Sequence, residues 1–208
     1  MASIAGRLAD GGVTRRRFLQ SAAVAGVAAG VAGCVTNPVT GRSEFSLFSP
    51  DDEVRLDREN APKQFSSDFG PVRDPRVQRY LDAVGQGLVE VSHRPAMPYS
   101  FRAVRASYVN AYAFPGGSIA ATRGILLELE NEAQLAGLLG HEIGHVCARH
   151  TARRMTSAML TQLAVAGAAV ALDQAGHDRS ALIVAGVGTL GAGALLARYS
   201  RDDEREAD

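Results

Sequence analysis

The stretch His141-Glu142-Ile143-Gly144-His145 decides the reading of this chain. It has the form H-E-x-x-H. On a helix, each residue advances about 100°, so residues four apart lie about 40° apart, and both imidazoles can face one metal ion. Glu142 sits beside that face, where its carboxylate can reach a water held by the metal. Two imidazoles and one carboxylate, with a fourth position open to water, form a donor set suited to zinc. Upstream, Asn131 reads as the helix cap, with Gln134 three residues on completing a capping-box-like pair. The spacing predicts a helix from there through His145 and past His150.

The third ligand has to come from elsewhere. In Met-turn enzymes the motif continues to a glycine and a third histidine; here those positions hold Ala148 and Thr151. On one continuous helix His150 would point about 180° from His141 and about 140° from His145, so it reads as a packing or surface histidine. Cys147 points away as well and reads as a small buried residue. Downstream, Glu204-Arg205-Glu206-Ala207-Asp208 places Glu204 and Asp208 four apart on one helix face. One of these carboxylates can bind the ion while the other accepts the remaining N–H of a ligand histidine. From spacing alone, this cluster is equally a charged helix terminus. Glu206, on the opposite side of the turn, reads as solvated.

The remainder of the chain is ordered around this centre. Its 208 residues carry 22 Lys+Arg and 22 Asp+Glu, a net charge of zero. That balance speaks against nucleic acid as a partner. Hydrophobic residues at 46% place the chain among globular proteins, and two cysteines cannot build a disulfide framework. The N-terminus runs from Thr14-Arg15-Arg16-Arg17-Phe18-Leu19 through an Ala/Gly/Val segment to Val31-Ala32-Gly33-Cys34. A basic segment, a short apolar run and small residues make a secretory signal. The run falls short of the roughly 20 apolar residues needed to span a bilayer comfortably, though an uncleaved anchor is the other reading. Arg15 and Arg16 before Phe-Leu resemble the twin-arginine export signal. The residues ending in Cys34 resemble a bacterial lipobox, whose cysteine carries lipid. Residues 1–33 then read as a twin-arginine lipoprotein signal peptide, 34–48 as a lipidated tether, and 49–208 as one domain. Val35 rather than aspartate follows the cysteine, which by resemblance to Gram-negative lipoproteins directs the protein to the outer membrane.

Within the domain, Ser49-Pro50-Asp51-Asp52 starts a helix reaching about residue 66. A second helix starts near Asp74-Pro75, with Val77, Leu81, Val84, Leu88 and Val91 on its apolar face. Residues 99–108 and 118–122 read as strands, separated by a break at Pro115-Gly116-Gly117. Two apolar segments follow, 155–172 and 180–198. The latter is long enough to cross a membrane but rich in glycine; it reads either as half of a buried helical hairpin or as a span in an integral inner-membrane protein.

Residues 110–150 (NAYAFPGGSIAATRGILLELENEAQLAGLLGHEIGHVCARH) and 199–208 (YSRDDEREAD) together resemble the HtpX-like and CAAX-prenyl-protease-like zinc metallopeptidases, particularly their periplasmic lipoprotein-type members. The NPVTGRSEFSLFS lead-in after Cys34 fits the same group. The resemblance implies an α+β, mostly helical, zincin-like (gluzincin) domain with a small edge sheet. It implies one Zn2+ per chain held by His141, His145 and Glu204, with Glu142 as general base and Asp208 as the acid supporting a ligand. It also implies that the strand containing Gly117, Ser118, Ile119 and Ala120 is the substrate-binding edge. The family's chains continue past E-x-x-A-D into a histidine region that helps stabilise the oxyanion, so the resemblance marks the domain ending at Asp208 as C-terminally incomplete. The implied activity is metalloendopeptidase cleavage of unfolded or misassembled envelope proteins, in quality control alongside the outer-membrane assembly machinery. The alternative is a lipid-anchored, chaperone-like binding protein with a structural metal and little turnover.

Overall fold

The computed structural model describes residues 33–174 and 201–208. The export signal, including Arg15 and Arg16, and the apolar segment 180–198 lie outside the described residues. The lead-in forms an antiparallel hairpin of β1 (Gly33–Thr36) and β2 (Ser43–Ser46). Its turn is closed by Asn37, whose side-chain oxygen accepts from the backbone N–H groups of Val39 and Thr40.

Helix α1 (Pro50–Ser67) begins as its sequence dictates. Ser49 and Asp52 form a reciprocal capping box, with acids filling the first turn. Helix α2 (Pro75–Val89) is capped by Asp74. It stops short of Val91, which is 83% exposed and drops out of the expected apolar face. The second sheet has the order β3-β5-β4, from β3 (Ser100–Val104), β4 (Ala111–Ala113) and β5 (Ser118–Thr122). β3 and β5 are parallel, while β4 runs antiparallel to β5. The tight turn between β4 and β5 requires glycine at position 117, where φ is +101°.

This order corrects the expected edge. Ser118, Ile119 and Ala120 lie on the central strand, hydrogen-bonded on both sides, and Ile119 and Ala120 are fully buried. Gly117 lies in the turn just before that strand. A strand with both backbone edges occupied cannot accept another; the outer strands are β3, bridged at Val104 by Pro71, and β4, which has no further strand beside it among the described residues. That strand is tied down from one end of α1: Tyr112 and the neighbouring Tyr108 both donate their hydroxyls to the buried carboxylate of Asp68. Burial raises the Asp68 pKa, but these hydrogen bonds outweigh it and hold the group below its ordinary value.

A short helix, α3 (Arg123–Glu128), leads to α4 (Glu132–Cys147), which carries the histidine motif. Asn131 caps α4 by accepting from Gln134 N–H, but Gln134 reaches back to the N–H of Glu130 rather than to that of Asn131. Leu135, Leu139, Ile143 and Val146 recur at helical spacing and are buried with Leu81, Phe101 and Ile119 against α2 and the sheet. Each such large side chain removed from water contributes about 1.5–3 kcal/mol. This packing holds α4 rigidly across the sheet. Helix α5 (His150–Gln174) follows after a sharp break, and α6 (Arg201–Ala207) packs on α4. The protein is thus α+β and mostly helical. Among the described residues no helix is long and apolar enough to cross a membrane.

Candidate metal centre and active site

The packing of α4 sets the geometry of its histidines. With one stripe turned into the core, His141 and His145 meet on another, their Nε2 atoms 3.1 Å apart. Glu204 of α6 places Oε2 3.2 Å from His141 Nε2. The three ligand atoms lie within 4.8 Å of one another, the arrangement of a potential metal cage. Zinc–nitrogen bonds of about 2.0–2.1 Å at tetrahedral angles put ligand atoms about 3.3 Å apart, close to the two short separations here. His141 is completed by Asp208, whose Oδ1 lies 2.8 Å from Nδ1. That contact suits an imidazole offering Nε2 to the ion and donating Nδ1–H to a carboxylate.

Glu142 lies beside this cluster and is only 6% exposed. Its Oε2 is buried and has no hydrogen-bond partner among the described residues. Such an atom is costly unless its function is to receive a proton. Burial, ahead of the opposing influence of His141 and the repulsion of Glu204, pushes the carboxyl up to about 7. Burial, followed by repulsion from His141 and His150, drives His145 down to about 3, so its imidazole is neutral and has a lone pair to give. An N,N,O donor set beside that buried carboxyl fits a zinc ion.

Close approach of α4 and α6 makes the arrangement possible. A Cβ on Gly144 would fall 2.3 Å from the carbonyl oxygen of Ala207 and 2.9 Å from its Cα. Gly144, inside the motif, and Ala207, inside E-x-x-A-D, are therefore the small residues through which the two ligand-bearing helices touch.

The structure corrects two side-chain expectations. Helix α4 ends at Cys147, and Arg149 takes φ +58°. The buried carboxylate of Glu53 holds that turn through Arg149 Nε at 2.9 Å. The break swings His150 back so that its Nδ1 lies 2.7 Å from Nδ1 of His145, and it is fully buried. Glu206, expected in solvent, accepts a 2.6 Å hydrogen bond from Asn37. Cys147, by contrast, is a buried free thiol against the Tyr99 hydroxyl, as its position on the helix suggests.

A profile of Peptidase family M48 matches residues 75–208. The chain belongs to this peptidase family. It is 32% identical over 171 residues to a putative beta-barrel assembly-enhancing protease of Vibrio cholerae, covering 78% of this chain and 32% of that protein. It is 31% identical over 181 residues to the beta-barrel assembly-enhancing protease of Escherichia coli K12, covering 83% of this chain and 36% of that one. The mitochondrial metalloendopeptidase OMA1 of Schizosaccharomyces pombe is 30% identical over 174 residues, 82% of this chain and 49% of its own length. The chain thus spans about a third of the two bacterial relatives and about half of the fungal one.

Proposed function

We propose that this protein is a zinc-dependent metalloendopeptidase in which His141, His145 and Glu204 hold one Zn2+. The observation that carries this reading is the convergence of those three side chains beside the buried Oε2 of Glu142, which has no partner among the described residues. Zinc at such a site polarises a peptide carbonyl and makes a water acidic enough to attack near neutral pH. Glu142 takes the proton of the attacking water and passes it to the leaving amine. Asp208 fixes the orientation of His141. The substrate lies extended along β4, adding a strand to the free edge of the sheet beside α4.

The substrates in this reading are unfolded or misassembled envelope proteins, with the outer-membrane assembly machinery as a partner. The two bacterial relatives, both named for beta-barrel assembly, support it. The twin-arginine signal delivers the chain to the periplasm, and lipid on Cys34 anchors it there; the exposed, unpaired thiol of Cys34 supports that role. Purified full-length chain is expected to contain one zinc per molecule by elemental analysis and to cleave casein. Chelation should abolish cleavage and added zinc restore it. Cleavage that persists with no metal bound would refute the assignment.

The anchor has its own test. Cys34→Ala is expected to move the protein from the membrane fraction to the soluble fraction of lysed cells. Retention of the variant in carbonate-washed membranes would instead assign the anchoring to a membrane span.

A further inference from the structure

We propose that His150 is a positioning residue for the metal centre, acting through the ligand His145 and tying the helix of the first two ligands to the helix of the third. The inference rests on the zinc site described above and concerns a residue outside its ligand set.

The proton inventory gives His150 its role. His145 turns Nε2 toward His141 and Glu204, so that atom carries the lone pair directed at the ion. Its proton then resides on Nδ1 and needs an acceptor. His141 meets the same need with the carboxylate of Asp208. For His145 the group at that place is Nδ1 of His150, 2.7 Å away. An imidazole accepting at Nδ1 carries its own proton on Nε2. That atom of His150 faces Glu206 Oε2 at 3.4 Å and Asp203 Oδ1 at 3.8 Å. The order of groups is therefore ligand imidazole, second imidazole, carboxylates: a 2.7 Å hydrogen-bond contact at the first step and a charge approach of 3.4 and 3.8 Å at the second.

Both carboxylates belong to α6, on either side of the ligand Glu204. They are themselves fixed. Arg153 of α5 pairs with Asp203 and lies 3.5 Å from Glu206. Asn37 of the N-terminal hairpin donates to Glu206 from the other side. His150 thus joins α4, which carries His141 and His145, to α6, which carries Glu204. Outer partners of a ligand histidine set its tautomer and ring orientation, and their loss typically costs 10–100-fold in metal affinity.

The discriminating experiment compares two replacements of this buried histidine in the full chain. His150→Asn keeps an oxygen acceptor near the former Nδ1, whereas His150→Leu keeps the volume and removes every polar atom. Zinc dissociation constants come from competition with a chromophoric chelator, with unfolding of the metal-free proteins recorded alongside. His150→Leu is expected to bind zinc 10–100-fold more weakly, although its metal-free form unfolds no earlier than that of His150→Asn. His150→Asn should remain within about fivefold of wild type, since the acceptor is retained. If His150→Leu does not fold, His150→Ala takes its place in the same comparison. Equal zinc affinity in the acceptor-bearing and acceptor-free variants would overturn the proposal and leave the peptidase reading intact. A wild-type chain that takes up no zinc would instead remove the peptidase reading, and this inference with it.

Discussion

Glu142→Gln is expected to abolish casein cleavage, lowering kcat/KM by about 10²–10⁴-fold, while the variant still binds one zinc. The substitution preserves shape and leaves His141, His145 and Glu204 untouched, so the ion keeps its donors. It removes only the ability to accept a proton. The loss should appear in kcat with little change in KM, because Glu142 is assigned to proton transfer and not to substrate binding. A second readout comes from the metal-free proteins. Folded Glu142 titrates at about 7 because of burial, against an ordinary 4.5. Between those values the unfolded chain has shed a proton that the folded chain retains. The wild type therefore loses stability as pH rises from 4.5, and the loss is complete above about 7. The glutamine variant lacks this term, so its stability advantage over wild type should grow across that window, measured by denaturant unfolding. Undiminished proteolysis by the variant would remove Glu142 from the reaction.

The parts of this site that are legible in the sequence are those governed by a single helix. His141, Glu142 and His145 follow from about 100° per residue. Glu204 lies some sixty residues farther on, and spacing alone leaves its carboxylate balanced between a ligand and a charged helix end. Family resemblance tips that balance without any knowledge of the contact. His150 shows where extrapolation along a helix fails. The wheel argument needs α4 to continue, and what stops it is a non-glycine residue, Arg149, held in a left-handed turn by Glu53 from α1. No local signal marks that break, since the partner comes from nearly one hundred residues earlier. Glu206 does lie on the side opposite Glu204, but α6 is covered on both sides, by α4 on one and by Asn37, His150 and Arg153 on the other. The central strand is a similar case. Residues 118–122 read as a strand, but position within a sheet is set by its neighbours. The outer neighbour, β4, has three residues, too few to show an alternating pattern.

Gly144→Ala should disable the metal centre with a single methyl group, and its effect runs against helix propensity. In the interior of α4, alanine is favoured over glycine by about 1 kcal/mol. Gly137 is the reference: it lies on the same helix, and a Cβ added there would meet nothing within 4 Å. Gly137→Ala is therefore expected to raise stability by up to about 1 kcal/mol and to leave zinc affinity unchanged. At Gly144 the added methyl meets the backbone of Ala207, its carbonyl oxygen 2.3 Å away, and no rotamer can relieve a contact between Cβ and backbone. A normal separation requires α6 to retreat by about an ångström. That movement carries Glu204 and Asp208 away from His141 together, so the third ligand and the partner of the first are lost in one step. A displacement of that size is enough to disable a metal site, and zinc affinity should fall at least 10–100-fold, as judged by chelator competition. The metal-free Gly144→Ala protein, by contrast, should keep its helical circular dichroism, because the core side of α4 formed by Leu135, Leu139 and Ile143 is unaltered. Wild-type zinc affinity in Gly144→Ala would mean that α6 does not rest on α4 at this point, and Glu204 would then lose its claim to be the third ligand.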